Sequence, residues 1–240
     1  MVKVSEIYGD FTRKPLAFVF PLIAYGFYTV MALFVMLFFF MNLEPLMEVF
    51  NVGSYSYIMA GILFLVWFYL ASGFKGGMIK GLYEAIERRG RFDTEDYLNY
   101  SLNNDVKFFI IYLVGAIANV LVIGPVAYGI LQFSSLVIQI VLAIVGLFIL
   151  FIVNYLLFYS AMTLVVYNGI GSIKAIVASI KVSVKEIFKL MGPYLLYVGV
   201  LLTMFIPLIN IISIFVLYPI ALGNALGKLK EVRGAVARYA

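Results

Sequence analysis

The chain has 240 residues, 65% of them hydrophobic, carries 17 Lys and Arg against 12 Asp and Glu, and has a mean hydropathy of +1.08. Soluble domains hold roughly 45–50% apolar residues, so this composition excludes a soluble globular protein. Cys and His are both absent, which excludes disulfides, thiolate chemistry, zinc and haem sites and the Ser-His-Asp triad within this chain.

A membrane span needs about 20 apolar residues to cross roughly 30 Å of hydrocarbon. The chain opens on a short amphipathic segment in which Val4, Ile7, Tyr8 and Phe11 recur at helical spacing. The first predicted span runs from Leu16 to Met41. It is too long for the apolar core of a cleavable signal peptide and reads as a signal anchor. Asn42 to Ser54 is the only outer connection of any size, and its Glu44 and Glu48 read as a solvated pair, with cation binding as the alternative. The second span covers Tyr55 to Phe74. At its inner end Gly73, Gly77 and Gly81 lie four residues apart, a spacing that lets another backbone approach closely. Tight packing within the bundle is one reading of these glycines; a hinge or a dimer contact is the other.

A mixed-sign stretch follows, with Glu84, Glu87, Arg88, Arg89, Arg91, Asp93, Glu95 and Asp96, and reads as a solvated, salt-bridged loop. Asp93 caps a second amphipathic segment carrying Tyr97, Leu98 and Leu102. The third span covers Phe108 to Leu131 and the fourth Leu136 to Val166, the latter long enough to tilt or project. In the third amphipathic segment Ile173, Ile176, Val177, Ile180, Val184 and Ile187 make one stripe. Lys174, Lys181, Lys185 and Lys189 follow its edge. A helix in the headgroup plane would snorkel these lysines to lipid phosphate. The fifth span covers Tyr194 to Ile206 plus its inner flank, and a tight turn from Pro207 to Asn210 leads to the sixth, Ile211 to Leu226. Gly223 and Gly227 repeat the close-packing spacing there.

The basic residues fall in four blocks, Lys3 to Lys14, Lys75 to Lys107, Lys174 to Lys189 and Lys228 to Arg238. Lys and Arg in short loops stay cytoplasmic, so an even number of crossings separates successive blocks. The expected fold is all-α: a polytopic membrane protein with six transmembrane helices in three hairpins, short cytoplasmic interfacial helices, and both termini inside. It forms a single transmembrane domain over 1–240, with a candidate threefold repeat of 1–92, 93–171 and 172–240. The expected location is the cell membrane. Cysteine introduced at Asn51 is expected to react from outside and at Ser179 from inside.

No charged residue falls near the middle of a span, where ion pumps and coupled transporters usually need one. Tyr25, Tyr28, Asn119 and Asn154 are the candidates for an intramembrane polar pocket. The competing reading is interhelical glue, at around 0.6 kcal/mol per hydrogen bond. Gly-x-Ser-x-Gly and the phosphate-binding P-loop are absent, as are the paired Asp motifs of phospholipid-synthesising alcohol transferases and the Gly-x-Gly-Asp of intramembrane aspartyl proteases. No catalytic residue, metal ligand or cofactor is nominated. The expected partners are membrane lipids, with a second membrane protein or self-association as alternatives. Nucleic acid is not expected, because basic residues beside spans serve topology.

The segments "FKGGMIKGLYEAIERRGRFDTEDYLNYSLNNDVKFFIIYLVGAI" and "GSIKAIVASIKVSVKEIFKL" resemble a broad set of prokaryotic six-span proteins that includes YciC-like and archaeal membrane families. The resemblance covers about half the chain and implies six helices in a membrane, without a substrate. The three-hairpin plan is also similar to that of mitochondrial carriers. Their Pro-x-(Asp/Glu)-x-x-(Lys/Arg) motif is missing at every odd-numbered span, so their function does not carry over. Three functional expectations follow. The first is a non-enzymatic membrane protein that binds or translocates a lipid or small amphiphile. The second is a structural or assembly subunit, and the third a channel or substrate-binding subunit for an uncharged solute.

Overall fold

The computed structural model describes residues 4–49, 55–87, 93–167, 169–207, 209–232 and 234, and every regular element among them is helical. The elements are α1 (Val4–Arg13), α2 (Pro15–Val49), α3 (Tyr55–Glu87), α4 (Thr94–Asn103), α5 (Asp105–Gln132), α6 (Leu136–Phe158), α7 (Ser160–Val166), α8 (Ser172–Lys185), α9 (Ile187–Thr203), α10 (Asn210–Ile212) and α11 (Tyr218–Glu231). A π-helical turn, Ser213–Leu217, joins the last two. Five helices are long and apolar enough to cross a membrane, or six if the bent pair α8–α9 forms one span. In lipid a backbone must satisfy its own hydrogen bonds, which is why apolar stretches of this length become helices.

Several elements end where the apolar runs do not. α2 continues to Val49, through most of the expected outer loop. α3 continues past Phe74 to Glu87, because its glycines lie under other elements rather than breaking the helix. The fourth span breaks at Tyr159 into α6 and α7. The fifth is preceded by a sharp elbow, since α8 and α9 are bent by 107° about Glu186. α9 alone has 17 residues, or about 26 Å at 1.5 Å per residue, short of roughly 30 Å of hydrocarbon. That shortfall is why the number of spans is five or six. Asn51, Arg88, Arg89 and Arg91 lie outside the described residues, as do the side chains of Glu44 and Glu48.

The chain forms two compact units, Ser5–Phe109 and, apart from the first residues, Ile110–Ala240. Their boundary falls inside α5. In the first unit α2 packs along α3, and α4 packs on α3. Its core is built from Ile7, Phe11, Phe18, Leu22, Met78, Leu82, Tyr97 and Phe108. Phe11 and Phe18 meet edge to face with centroids 5.9 Å apart, fixing α1 against the start of α2. Phe27, Phe34, Phe38, Ile58 and Phe64, farther along the spans, are exposed.

The second unit follows the same plan. α7 packs on α8 and α11, and α11 packs on α9. All of α7 is buried, together with Pro219 to Gly227 and Leu229 of α11. Leu121, Leu131, Ile144, Phe148 and Phe205 are exposed. In both units, then, tight packing gathers at the ends that carry basic residues. The remaining lengths present bulky apolar side chains outward, as a hydrocarbon solvent requires.

Candidate functional site: the basic ends of the two units

In the first unit α4 lies across the glycine face of α3. A Cβ on Gly73 would stand 3.0 Å from both the Asp105 Cβ and the Ser101 carbonyl oxygen. One on Gly76 would meet the Phe108 ring, and one on Gly77 the Ser101 hydroxyl and the Tyr97 ring. Gly81 is half-buried one turn farther on. The Tyr97 hydroxyl donates to the Phe74 carbonyl at 2.9 Å, and the Ser101 hydroxyl donates to the Tyr97 carbonyl at 2.7 Å. Tyr28 stacks on Phe74 at 5.5 Å and on Tyr97 at 5.9 Å, with half-buried Tyr25 one turn before it.

Burial holds the Tyr97 hydroxyl well above the usual tyrosine range. Tyr100 is pushed up to about 12 by burial first and by the nearby Glu84 carboxylate second. Both are therefore neutral donors rather than bases at physiological pH. Lys80 pairs with Glu84 at 3.1 Å and lies 5.5 Å from the centre of the Tyr100 ring.

In the second unit the interest centres on the elbow. Tyr155 and Tyr159 stand one turn apart at the end of α6. The Tyr155 hydroxyl donates to the Ser183 carbonyl before the bend (2.8 Å), and the Tyr159 hydroxyl to the Leu190 carbonyl after it (2.7 Å). In return, the Ser179 hydroxyl of α8 donates to the Leu156 carbonyl at 2.7 Å, in the last turn of α6. Carbonyls in the last turn of a helix lack helical donors, and Ser179 and Tyr155 supply them at Leu156 and Ser183, while Tyr159 ties the first turn of α9 to α6. The Tyr194 ring closes the cluster, 5.2 Å from Phe151, 5.3 Å from Tyr155 and 5.2 Å from Phe158.

α8 turns its small residues inward. Ala175, Ala178, Ser179, Val182 and Ser183 are buried, while Ile173, Val177, Ile180 and Val184 are exposed. Ile176 alone of the expected stripe points inward. Lys174, Lys181 and Lys185 are exposed beside the outward apolar residues, about a quarter-turn round the helix. Lys189 leaves this ridge because the helix stops at Lys185. It sits beyond the elbow, paired with Glu186 at 2.8 Å.

The four expected pocket residues divide between the units. Tyr25 and Tyr28 belong to the first. Asn119 and Asn154 belong to the second, where their side-chain amides exchange hydrogen bonds of 2.8 and 3.3 Å. Asn154 also donates to the Leu150 carbonyl at 2.8 Å and is exposed. Gly223 and Gly227 are buried in α11 on either side of buried Asn224. Ser179, the intended inner labelling position, is fully buried.

Sequence reading missed Tyr155, Tyr159 and Tyr194. The available signal was two tyrosines four apart at the end of the most apolar run, where an interfacial anchor would need only one. Among the described residues the buried polar side chains other than tyrosine are Ser, Thr or Asn. Ser160 Oγ, Thr163 Oγ1, Ser183 Oγ and Asn224 Oδ1 are buried there without a hydrogen-bond partner. No protein-family model, curated protein or solved structure matches the chain.

Proposed function

We propose that this is a non-enzymatic, six-span protein of the cell membrane, with both termini cytoplasmic, that binds or moves a lipid or small amphiphile. The observation that carries this reading is the uncharged polar interior at the inner end of the second unit. The hydroxyls of Ser160 and Thr163 on α7 and of Ser183 on α8, and the amide oxygen of Asn224 on α11, are buried without hydrogen-bond partners. A buried hydroxyl or amide left unpaired costs about 1–3 kcal/mol. Groups of this kind suit the neutral glycerol, ester or alcohol portion of an amphiphile. They do not suit an ion, which would call for compensating charge.

Native mass spectrometry from mild detergent tests the reading. A discrete lipid or amphiphile at fixed stoichiometry, reduced when Asn224 is changed to Leu, is the expected result. Heterogeneous bulk lipid alone would overturn it. The second reading, an assembly subunit, is favoured by the exposed amide pair Asn119–Asn154 on two span-length helices. A co-purifying membrane protein in the same spectra would move the assignment there.

A further inference from the structure

α8 is amphipathic in an unusual sense, because its larger apolar residues, Ile176 and Val182 apart, are left unburied. Ile173 is 72% exposed and Val184 62%, and Phe188, just past the elbow, is 99% exposed. The face packed on the protein is Ala, Ser and Val together with Ile176. In water such an arrangement would forfeit roughly 25 cal/mol for each Å² of apolar surface left outside. The outward face is therefore built for a medium that is not water.

Three features identify that medium. First, Lys174, Lys181 and Lys185 edge the outward face, and α8 contains no acidic residue. Second, the 107° bend sets α8 within about 20° of perpendicular to α9. With α9 crossing the leaflet at the average tilt of about 20° from the bilayer normal, α8 lies closer to the membrane plane than to the normal. Third, the bend is pinned from α6 by Tyr155, Tyr159 and Ser179, on both sides of Glu186. A protein partner would need to match a bulky apolar strip and a basic edge together. A leaflet supplies acyl chains beneath the strip and phosphates beside the lysines without further design.

We propose that α8 docks in the headgroup plane of the leaflet on the basic side and holds anionic phospholipid headgroups on Lys174, Lys181 and Lys185. This deepens the lipid reading above and rests on it only for the surrounding bilayer. The residues concerned are separate from the buried set Ser160, Thr163, Ser183 and Asn224.

The test uses the absence of cysteine from the chain. A bimane label on Ile180→Cys, in the full-length protein in nanodiscs, is quenched by brominated phosphatidylglycerol in competition with phosphatidylcholine. The expected result is a several-fold preference for the anionic lipid, with a ceiling of roughly fivefold per lysine. It should fall to near one when Lys174, Lys181 and Lys185 are changed to Gln and persist when all three are changed to Arg. A preference near one with the native lysines, or one that survives the Gln changes, overturns the proposal. So does quenching by aqueous iodide and not by bromolipid. If the preference is found but the mass spectra hold only bulk lipid, docking stands and the functional reading falls. A stoichiometric ligand without the preference gives the reverse.

Discussion

At Gly76 and Gly77 a single methyl group decides whether α3 can lie where it does. A Cβ on Gly76 would enter the Phe108 ring, and one on Gly77 would collide with the Ser101 hydroxyl and stand 2.9 Å from the Tyr97 ring. Ser101 and Tyr97 are held by their own hydrogen bonds, so neither yields freely. Overpacking of this kind costs typically 1–3 kcal/mol. Gly61 lies on the same helix with nothing within 4 Å of its Cβ position, and there Ala gains up to about 1 kcal/mol of helix propensity. Gly77→Ala should therefore lower the thermal midpoint in detergent, while Gly61→Ala leaves it unchanged or raises it. Equal behaviour of the two variants would mean that α4 does not pack on this face. The four-residue glycine spacing was readable from the sequence. Its counterpart, a Tyr and a Ser four apart on a short acidic helix, was not, because nothing local pairs one face with another.

The elbow shows why breaks in these helices were harder to read than the helices themselves. Apolar run length predicted every long element, since a backbone in lipid has no alternative to helix. The breaks at Tyr159 and Glu186 involve neither Gly nor Pro, the usual local punctuation. At both places carbonyls of helical ends accept from side chains distant in sequence, namely Leu156 from Ser179, Ser183 from Tyr155 and Leu190 from Tyr159. A break whose donors come from elsewhere leaves little trace in its own residues. Each such hydrogen bond contributes about 0.6–1 kcal/mol. Changing Tyr155 and Tyr159 to Phe keeps the rings and removes only the donors. Backbone amide exchange in Ser172–Lys185 should then quicken by roughly three- to fivefold for each tyrosine if opening of α8 governs exchange. Exchange in α2 and α3 should not change. Unaltered exchange in α8 would mean that packing of its Ala and Ser face holds the elbow without the hydroxyls.

For the chain as a whole, charge placement and packing agree. In each unit the buried residues gather near its own basic residues, at Phe18, Met78 and Tyr97 in one and at Tyr159, Ala178 and Leu226 in the other. The orientation itself is testable on described residues. Ser134 lies in the exposed turn between α5 and α6, and Gly171 is exposed ahead of α8 with nothing within 4 Å of its Cβ position. Ser179 would have been a poor choice whatever its side, because no reagent reaches a residue buried in the α6–α8 contact. Between Ser134 and Gly171 lies the Leu136–Val166 segment, 31 residues long and broken at Tyr159. If that segment crosses the membrane once and basic residues remain inside, Ser134→Cys reacts with an impermeant maleimide on intact cells. Gly171→Cys then reacts only after permeabilisation. The opposite pattern would invert the protein and place the lysines of α8 outside. Reaction of both from one side would mean that the break at Tyr159 turns the segment back before it crosses, leaving an odd count and termini on opposite faces.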